Sequence, residues 1–150
     1  MSEKKTEKGR SGRGASDRLF ERVKTAKGRK ISSTRWLERQ LNDPYVAAAQ
    51  RQGFRSRAAF KLIEIDERFK FLRRGQKIID LGAAPGGWSQ IAADKIGSAK
   101  GQGKVIAIDI QEMSPLMGVD FMLLDFMDDN APEKVLELAG GRVNAVISDM

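Results

Sequence analysis

The chain has 150 residues, with 27 Lys and Arg against 20 Asp and Glu for a net charge of +7, and it contains neither cysteine nor histidine. That composition excludes disulfides, cysteine nucleophiles, Ser-His-Asp triads and Cys/His zinc sites; no bound metal is expected, and proton transfer is left to Lys, Asp, Glu or Tyr. At 41% hydrophobic it can bury a core, and with no run near the roughly 20 apolar residues of a membrane span and no apolar leader, a soluble cytoplasmic protein is expected.

The charge is unevenly divided. Residues 1–61 carry 17 basic and 6 acidic side chains, or +11, whereas residues 62–150 carry 10 and 14, or −4. Residues 1–31 are dominated by Gly, Ser, Lys and Arg without periodicity, which reads as a disordered basic tail suited to nonspecific attraction for phosphates. From Ser32 the texture changes. Ser32, Ser33 and Thr34 offer N-caps for a helix carrying Trp36, Leu37 and Leu41, stopped at Asn42-Asp43-Pro44. A second helix fits Tyr45 to Gln52, ended by Gly53. Ser56 reads as the cap of a third helix to about Phe69, with Phe60, Leu62, Ile63, Ile65 and Phe69 on its apolar face and Lys61, Glu64 and Arg68 on the polar one. By spacing alone, Lys61 reads as an exposed lysine paired with Glu64, and Trp36 and Tyr45 read as core residues rather than stacking platforms.

Beyond Arg73-Arg74-Gly75 strands alternate with helices, the pattern of a parallel sheet with crossovers. The predicted strands are Lys77–Leu81, Lys104–Asp109, Asp120–Leu124 and Arg142–Ser148, with helices at Trp88–Ile96 and Pro132–Ala139. The first strand runs into Leu81-Gly82-Ala83-Ala84-Pro85-Gly86-Gly87-Trp88. Glycines at such a turn let the backbone approach a ligand, and the following helix aims free N–H groups at it. Asp109, 23 residues past Gly86, ends the second strand where Rossmann-like folds place an acid on a ribose. Ala83-Ala84-Pro85 stands where a dinucleotide loop has its second glycine, which favours a ligand without a diphosphate.

The blocks Ser33-Thr34-Arg35-Trp36-Leu37, Arg55-Ser56-Arg57-Ala58-Ala59-Phe60-Lys61-Leu62, the run from Asp80 to Gln90, Gly118-Val119-Asp120-Phe121 and Ser148-Asp149-Met150 together closely resemble the FtsJ/RrmJ family of ribose 2′-O-methyltransferases, in particular its bacterial members acting on large-subunit ribosomal RNA. The resemblance runs from about Ser32 to Met150. It implies a Rossmann-like α/β methyltransferase fold dependent on S-adenosylmethionine, mostly parallel with helices on both faces, its C-terminal part lying beyond Met150. It divides residues 32–150 into a helical RNA-facing segment, 32–74, and a cofactor-binding sheet, 75–150.

Of the family's catalytic Lys-Asp-Lys-Glu tetrad, the resemblance implies Lys61 and Asp149, with the other two beyond Met150. It implies Gly86, Trp88, Asp109, Asp125 and Asp149 as cofactor-binding residues, Asp109 on the ribose and Asp125 near the adenine. A sulfonium methyl is already activated, so such an enzyme needs chiefly to align the ribose oxygen and help remove its proton. A lysine beside a carboxylate stays charged, so Lys61 and Asp149 are expected to orient the 2′-hydroxyl while the further family lysine acts as base. Arg35, Arg39, Arg51, Arg55 and Arg57 bracket Lys61 and are expected to contact RNA.

The expected partner is large-subunit ribosomal RNA or the large ribosomal subunit, for a monomeric protein away from membranes, with a uridine as the modified nucleotide. Two alternatives stay open: a noncatalytic RNA-binding or ribosome-assembly factor, and a nicotinamide-dependent oxidoreductase on a related fold. The strand Arg142–Ser148 would leave an open apolar edge if the sheet ended there, so more strands are expected after Met150 and the 150 residues alone are expected to be inactive.

Overall fold

The computed structural model describes residues 20–24 and 27–150, so most of the predicted basic tail lies outside the described residues. Three helices come first: α1 (Ile31–Asn42), α2 (Pro44–Arg51) and α3 (Ala59–Phe69). The sheet follows as β1 (Lys77–Leu81), α4 (Gly87–Ile96), β2 (Lys104–Asp109), β3 (Val119–Leu123), α5 (Ala131–Ala139) and β4 (Ala145–Ser148). The strand order is β3-β2-β1-β4, and every pairing is parallel. All four carboxyl ends therefore lie along one edge of the sheet.

Alternation of side chains across β1 and β2 makes two cores. Ile78 and Val105 join Ile147 under α3 and α4, where Leu62, Ile91, Ala92 and Ile96 close the layer. Ile79, Ile106 and Ile108 face the opposite way, against Val135 and Ala139 of α5. The two central strands are buried on both faces, which is why their apolar runs mark their ends correctly in the sequence. β4 pairs with β1 alone among the described strands, and Val146 is 55% exposed. Among the described residues no helix is long and apolar enough to cross a membrane.

Local chemistry moves several predicted boundaries. α1 starts at Ile31 after Lys30, with no side-chain cap; Thr34 Oγ1 instead donates back to the Lys30 carbonyl at 3.4 Å. Asp43, expected only to stop a helix, caps the next one: it accepts the Tyr45 and Val46 N–H groups at the start of α2, and its other oxygen accepts from Arg57 at 2.7 Å. Residues 56–58 form a turn, so α3 begins at Ala59 and Ser56 does not cap it. β4 is shorter than predicted because Asn144 substitutes for a strand residue. Its side chain accepts the Lys77 N–H at 2.7 Å while its own N–H donates to the Lys77 carbonyl at 2.8 Å. β3 ends at Leu123, one residue earlier than predicted, which leaves Asp125 two residues past the strand.

The apolar face of α3 is also narrower than its sequence implies. Ile65 and Phe69 are exposed, and the face turned inward is Ala59, Leu62 and Asp66. Asp66, 4% exposed, accepts the Leu72 N–H at 2.9 Å and lies 3.6 Å from the Lys95 ammonium of α4. It thereby fastens the turn into β1 to two helices. Trp36 and Tyr45, read as core, are 54% and 60% exposed, because α1 and α2 pack chiefly on each other and present their aromatic side chains outward. Replacing Asp66 by Ala strands the buried Leu72 N–H, and the expected loss is about 1–3 kcal/mol in a urea melt.

Candidate functional site

The site forms where the helical segment crosses the carboxyl edge of the sheet. Gly86 precedes α4 with φ +111°, and a Cβ there would meet the Arg55 side chain at 3.1 Å. A Cβ on Gly87 would collide with Ser56 Oγ. With both side chains absent, residues 53–58 lie directly on the first turn of α4. Four hydrogen bonds hold them there: Gln90 Nε2 to the Gly53 carbonyl at 2.9 Å, Arg55 N–H to Gln90 Oε1 at 3.0 Å, Trp88 Nε1 to the Ala58 carbonyl at 2.8 Å, and Arg55 Nη1 to the Pro85 carbonyl at 3.3 Å.

Under this strap is a cavity of about 230 Å³ lined by Ser56, Ala58, Asp80, the glycine turn from Gly82 to Pro85, Gly87, Trp88 and Asp149. Its charged side chains are carboxylates, and none is basic. Asp80, 1% exposed, accepts from Ser89 Oγ at 2.6 Å and from the Ser89 backbone N–H. Burial pushes its carboxyl up from 3.8 to about 6; the Ser89 hydrogen bonds oppose that shift, while the Asp109 and Asp149 carboxylates add to it.

Beyond Ala58 and Asp149 a second cavity opens, of about 280 Å³, lined by Tyr45, Arg57, Phe60, Lys61 and Glu64 as well as those two residues. At the junction Lys61 Nζ donates to Asp149 Oδ1 at 2.6 Å, joining α3 to the residue after β4. Lys61 is thus paired across 88 residues of chain and not, as helical spacing implied, with Glu64.

Of the cofactor residues implied by resemblance, Trp88 and Asp149 line the first cavity. Gly86 does not; it is packed against Arg55 and Met113. Asp109 acts at one remove, its two oxygens accepting the Ala84 N–H at 2.8 Å and the Gln111 N–H at 2.9 Å and so shaping the glycine turn. Asp125 is exposed and accepts the Met127 N–H at 2.9 Å, outside the cavity lining. Neither spacing nor the resemblance assigns Asp80, Ser89 or Ala58 a role in the site, and spacing makes Ser56 only a helix cap. A carboxylate closing the apolar run Ile78-Ile79 at a glycine turn is the signal by which Asp80 could have been found.

The five arginines separate. Arg35 and Arg39 line shallow grooves along α1, Arg51 is exposed at the end of α2, and Arg57 borders the second cavity. Arg55 is not offered to solvent in the same way. Its guanidinium donates to the Ser114 and Pro115 carbonyls at 2.6 Å each, besides Pro85, and ties residues 110–118 to the glycine turn.

Two outcomes follow from this geometry. Because the folded Asp80 carboxyl stays protonated where the unfolded one ionises, folding takes up a proton between about pH 4 and 6, and stability falls as pH rises through that window. Asp80→Asn should remove that slope and be the more stable form at pH 7, by on the order of 3 kcal/mol in urea midpoints measured across the window. Arg55→Ala should release the segment it clamps, seen as faster amide hydrogen exchange across residues 110–118 with the sheet amides unaffected.

Comparison with known proteins agrees with this architecture. Residues 54–150 match the family model described as FtsJ-like methyltransferase. Proteins named ribosomal RNA large subunit methyltransferase E are similar to the chain: 59% identical over 89% of it in Bradyrhizobium diazoefficiens, and 60% identical over 86% in Azorhizobium caulinodans. A third, from Ruegeria sp., is 52% identical over the whole chain. The chain spans 58%, 54% and 65% of their respective lengths. A crystal structure of a Plasmodium falciparum protein described as a ribosomal RNA methyltransferase superposes with a TM-score of 0.57 at 32% identity, covering 65% of this chain and 56% of that one. With its parallel sheet, its glycine turn and a family match over nearly two thirds of its length, the chain belongs to the FtsJ-like methyltransferase family.

Proposed function

We propose that the chain supplies the cofactor site and half of the catalytic residues of an S-adenosylmethionine-dependent methyltransferase acting on the ribose 2′-hydroxyl of a uridine in large-subunit ribosomal RNA, in the cytoplasm. The observation that carries this reading is the meeting of two cavities at the Lys61–Asp149 ion pair: one lined by the glycine turn and carboxylates, the other by cations and aromatic rings. The names of the similar proteins support ribosomal RNA as the substrate.

The first cavity fits the proposed cofactor. Asp80 and Asp149 are its charged lining, which suits a ligand bearing an ammonium and a sulfonium and disfavours a diphosphate. That charge balance argues against the nicotinamide alternative. When bound, the cofactor supplies an electrophilic methyl group. The chain's own part is to hold the acceptor. An ammonium in an ion pair donates hydrogen bonds and takes no proton, so Lys61 orients the 2′-oxygen while Asp149 fixes Lys61. The proton acceptor is assigned to the further lysine of the family tetrad. Arg57, bordering the second cavity, with Arg35, Arg39 and Arg51 beyond it, would position phosphates without reading bases.

Lys61→Ala in the full-length protein should reduce methyl transfer by about 10²- to 10⁴-fold while leaving the dissociation constants for S-adenosylmethionine and RNA unchanged. Loss of binding alone, with the rate at saturation intact, would remove Lys61 from the chemistry.

A further inference from the structure

Acceptance of the function proposed above leaves open how the nucleotide to be modified is held, and the second cavity bears on that. Its lining combines the Lys61–Asp149 pair, Arg57 and Glu64 with two aromatic rings, and the rings are unlike each other. Phe60 is half-buried and fixed: its ring meets Phe54 edge-on with centroids 5.4 Å apart, and Tyr45 rests against it at 6.0 Å, tilted by 59°. Tyr45 is 60% exposed.

The backbone beneath Tyr45 is equally constrained. Asp43 accepts the Tyr45 N–H at 2.8 Å and, through its other oxygen, the Arg57 guanidinium at 2.7 Å. One carboxylate thus holds both the Tyr45 backbone and the Arg57 cation at the border of the cavity whose far side is Lys61 and Asp149, while Phe60 supports the Tyr45 ring. An aromatic ring left open by a rigid support, beside a cation, matches what an unpaired nucleobase needs: a stacking surface for the base and a positive charge for its phosphate.

We propose that Tyr45 is the stacking surface for the base of the nucleotide whose 2′-hydroxyl is presented to Lys61. The base leaves its own stack and lies on the ring of Tyr45 within the second cavity. Its ribose then faces the Lys61–Asp149 pair and the opening to the first cavity. Stacking accepts any base, so Tyr45 sets the position of the nucleotide and not its identity. Tyr45 is a positioning residue here, acting on the substrate through the base and not on the reacting atoms.

The test uses the full-length protein and large ribosomal subunits purified from cells lacking the methyltransferase, with Tyr45→Ala, Tyr45→Leu and Tyr45→Phe. Tyr45→Ala is expected to lower kcat/KM for the subunit about tenfold or more, mainly through KM, with S-adenosylhomocysteine affinity unchanged. Tyr45→Phe keeps the ring and is expected to recover most of that loss, whereas Tyr45→Leu is not. Native kcat/KM in the alanine variant overturns the inference, as does full recovery by leucine, which marks a merely apolar contact covered by other parts of the protein. A phenylalanine variant as poor as alanine assigns the role to the hydroxyl and overturns it too, and a fall in S-adenosylhomocysteine affinity assigns Tyr45 to the fold. If the unsubstituted protein transfers no methyl group to any RNA, the proposed function itself fails, an outcome distinct from all of these.

Discussion

Two missing side chains at the start of α4 determine the rest of the site. Gly86 leaves room for Arg55, and Gly87 for Ser56, so that a segment preceding the sheet in sequence lies against the helix that follows β1. A methyl group at Gly87 would overlap Ser56 Oγ, and one at Gly86 would press on the Arg55 side chain at 3.1 Å in a backbone conformation, φ +111°, that side chains rarely adopt. With the strap in place, Trp88 and Gln90 bond to its carbonyls, α3 starts at Ala59, and Lys61, within the first turn of that helix, reaches the residue after β4. The two cavities share a wall because of that placement.

Electrostatics then divide the two sides of the wall. On the sheet side, parallel strands bring their carboxyl ends together; burial raises the Asp80 carboxyl, the Ser89 hydrogen bonds hold it back, and Asp109 and Asp149 add a smaller upward push. A cluster of that kind is a cost to the folded protein that a cationic ligand would relieve. On the helical side, Arg57 and Lys61 face a cavity they share with Glu64 and two aromatic rings, each already paired to a carboxylate that fixes its direction. Cations held in this way orient a ligand more than they attract it from a distance. In the proposed function, distant attraction falls to the arginines of α1 and the end of α2.

The legible parts of the fold were those with a repeating physical signal. β1 and β2 are buried on both faces and read as unbroken apolar runs, so their ends came directly from Lys77–Leu81 and Lys104–Asp109. The helix after the glycine turn was equally plain. Where a single side chain replaced a backbone partner, the pattern misled: Asn144 shortened β4, Asp43 and not a serine capped a helix, and the buried face of α3 turned on Asp66, a charged residue at a position the apolar periodicity passed over. The pairing of Lys61 with Asp149 was reached through resemblance to a family, since nothing in the spacing of two residues 88 positions apart distinguishes them from any other lysine and aspartate.

The sequence by itself determined the parallel α/β class, the glycine turn after the first strand and the division of charge between the two halves, because each is a local pattern of side-chain type that no packing arrangement can alter. Only the tertiary structure decided which of those residues act together. It turned Arg55 from the surface onto three carbonyls, left Tyr45 and Trp36 outside the core, and buried Asp80 among other acids. The reason is physical: hydrogen bonding, exposure and ionisation depend on which surfaces meet, and the meeting of the strap with α4 is a contact between segments about thirty residues apart.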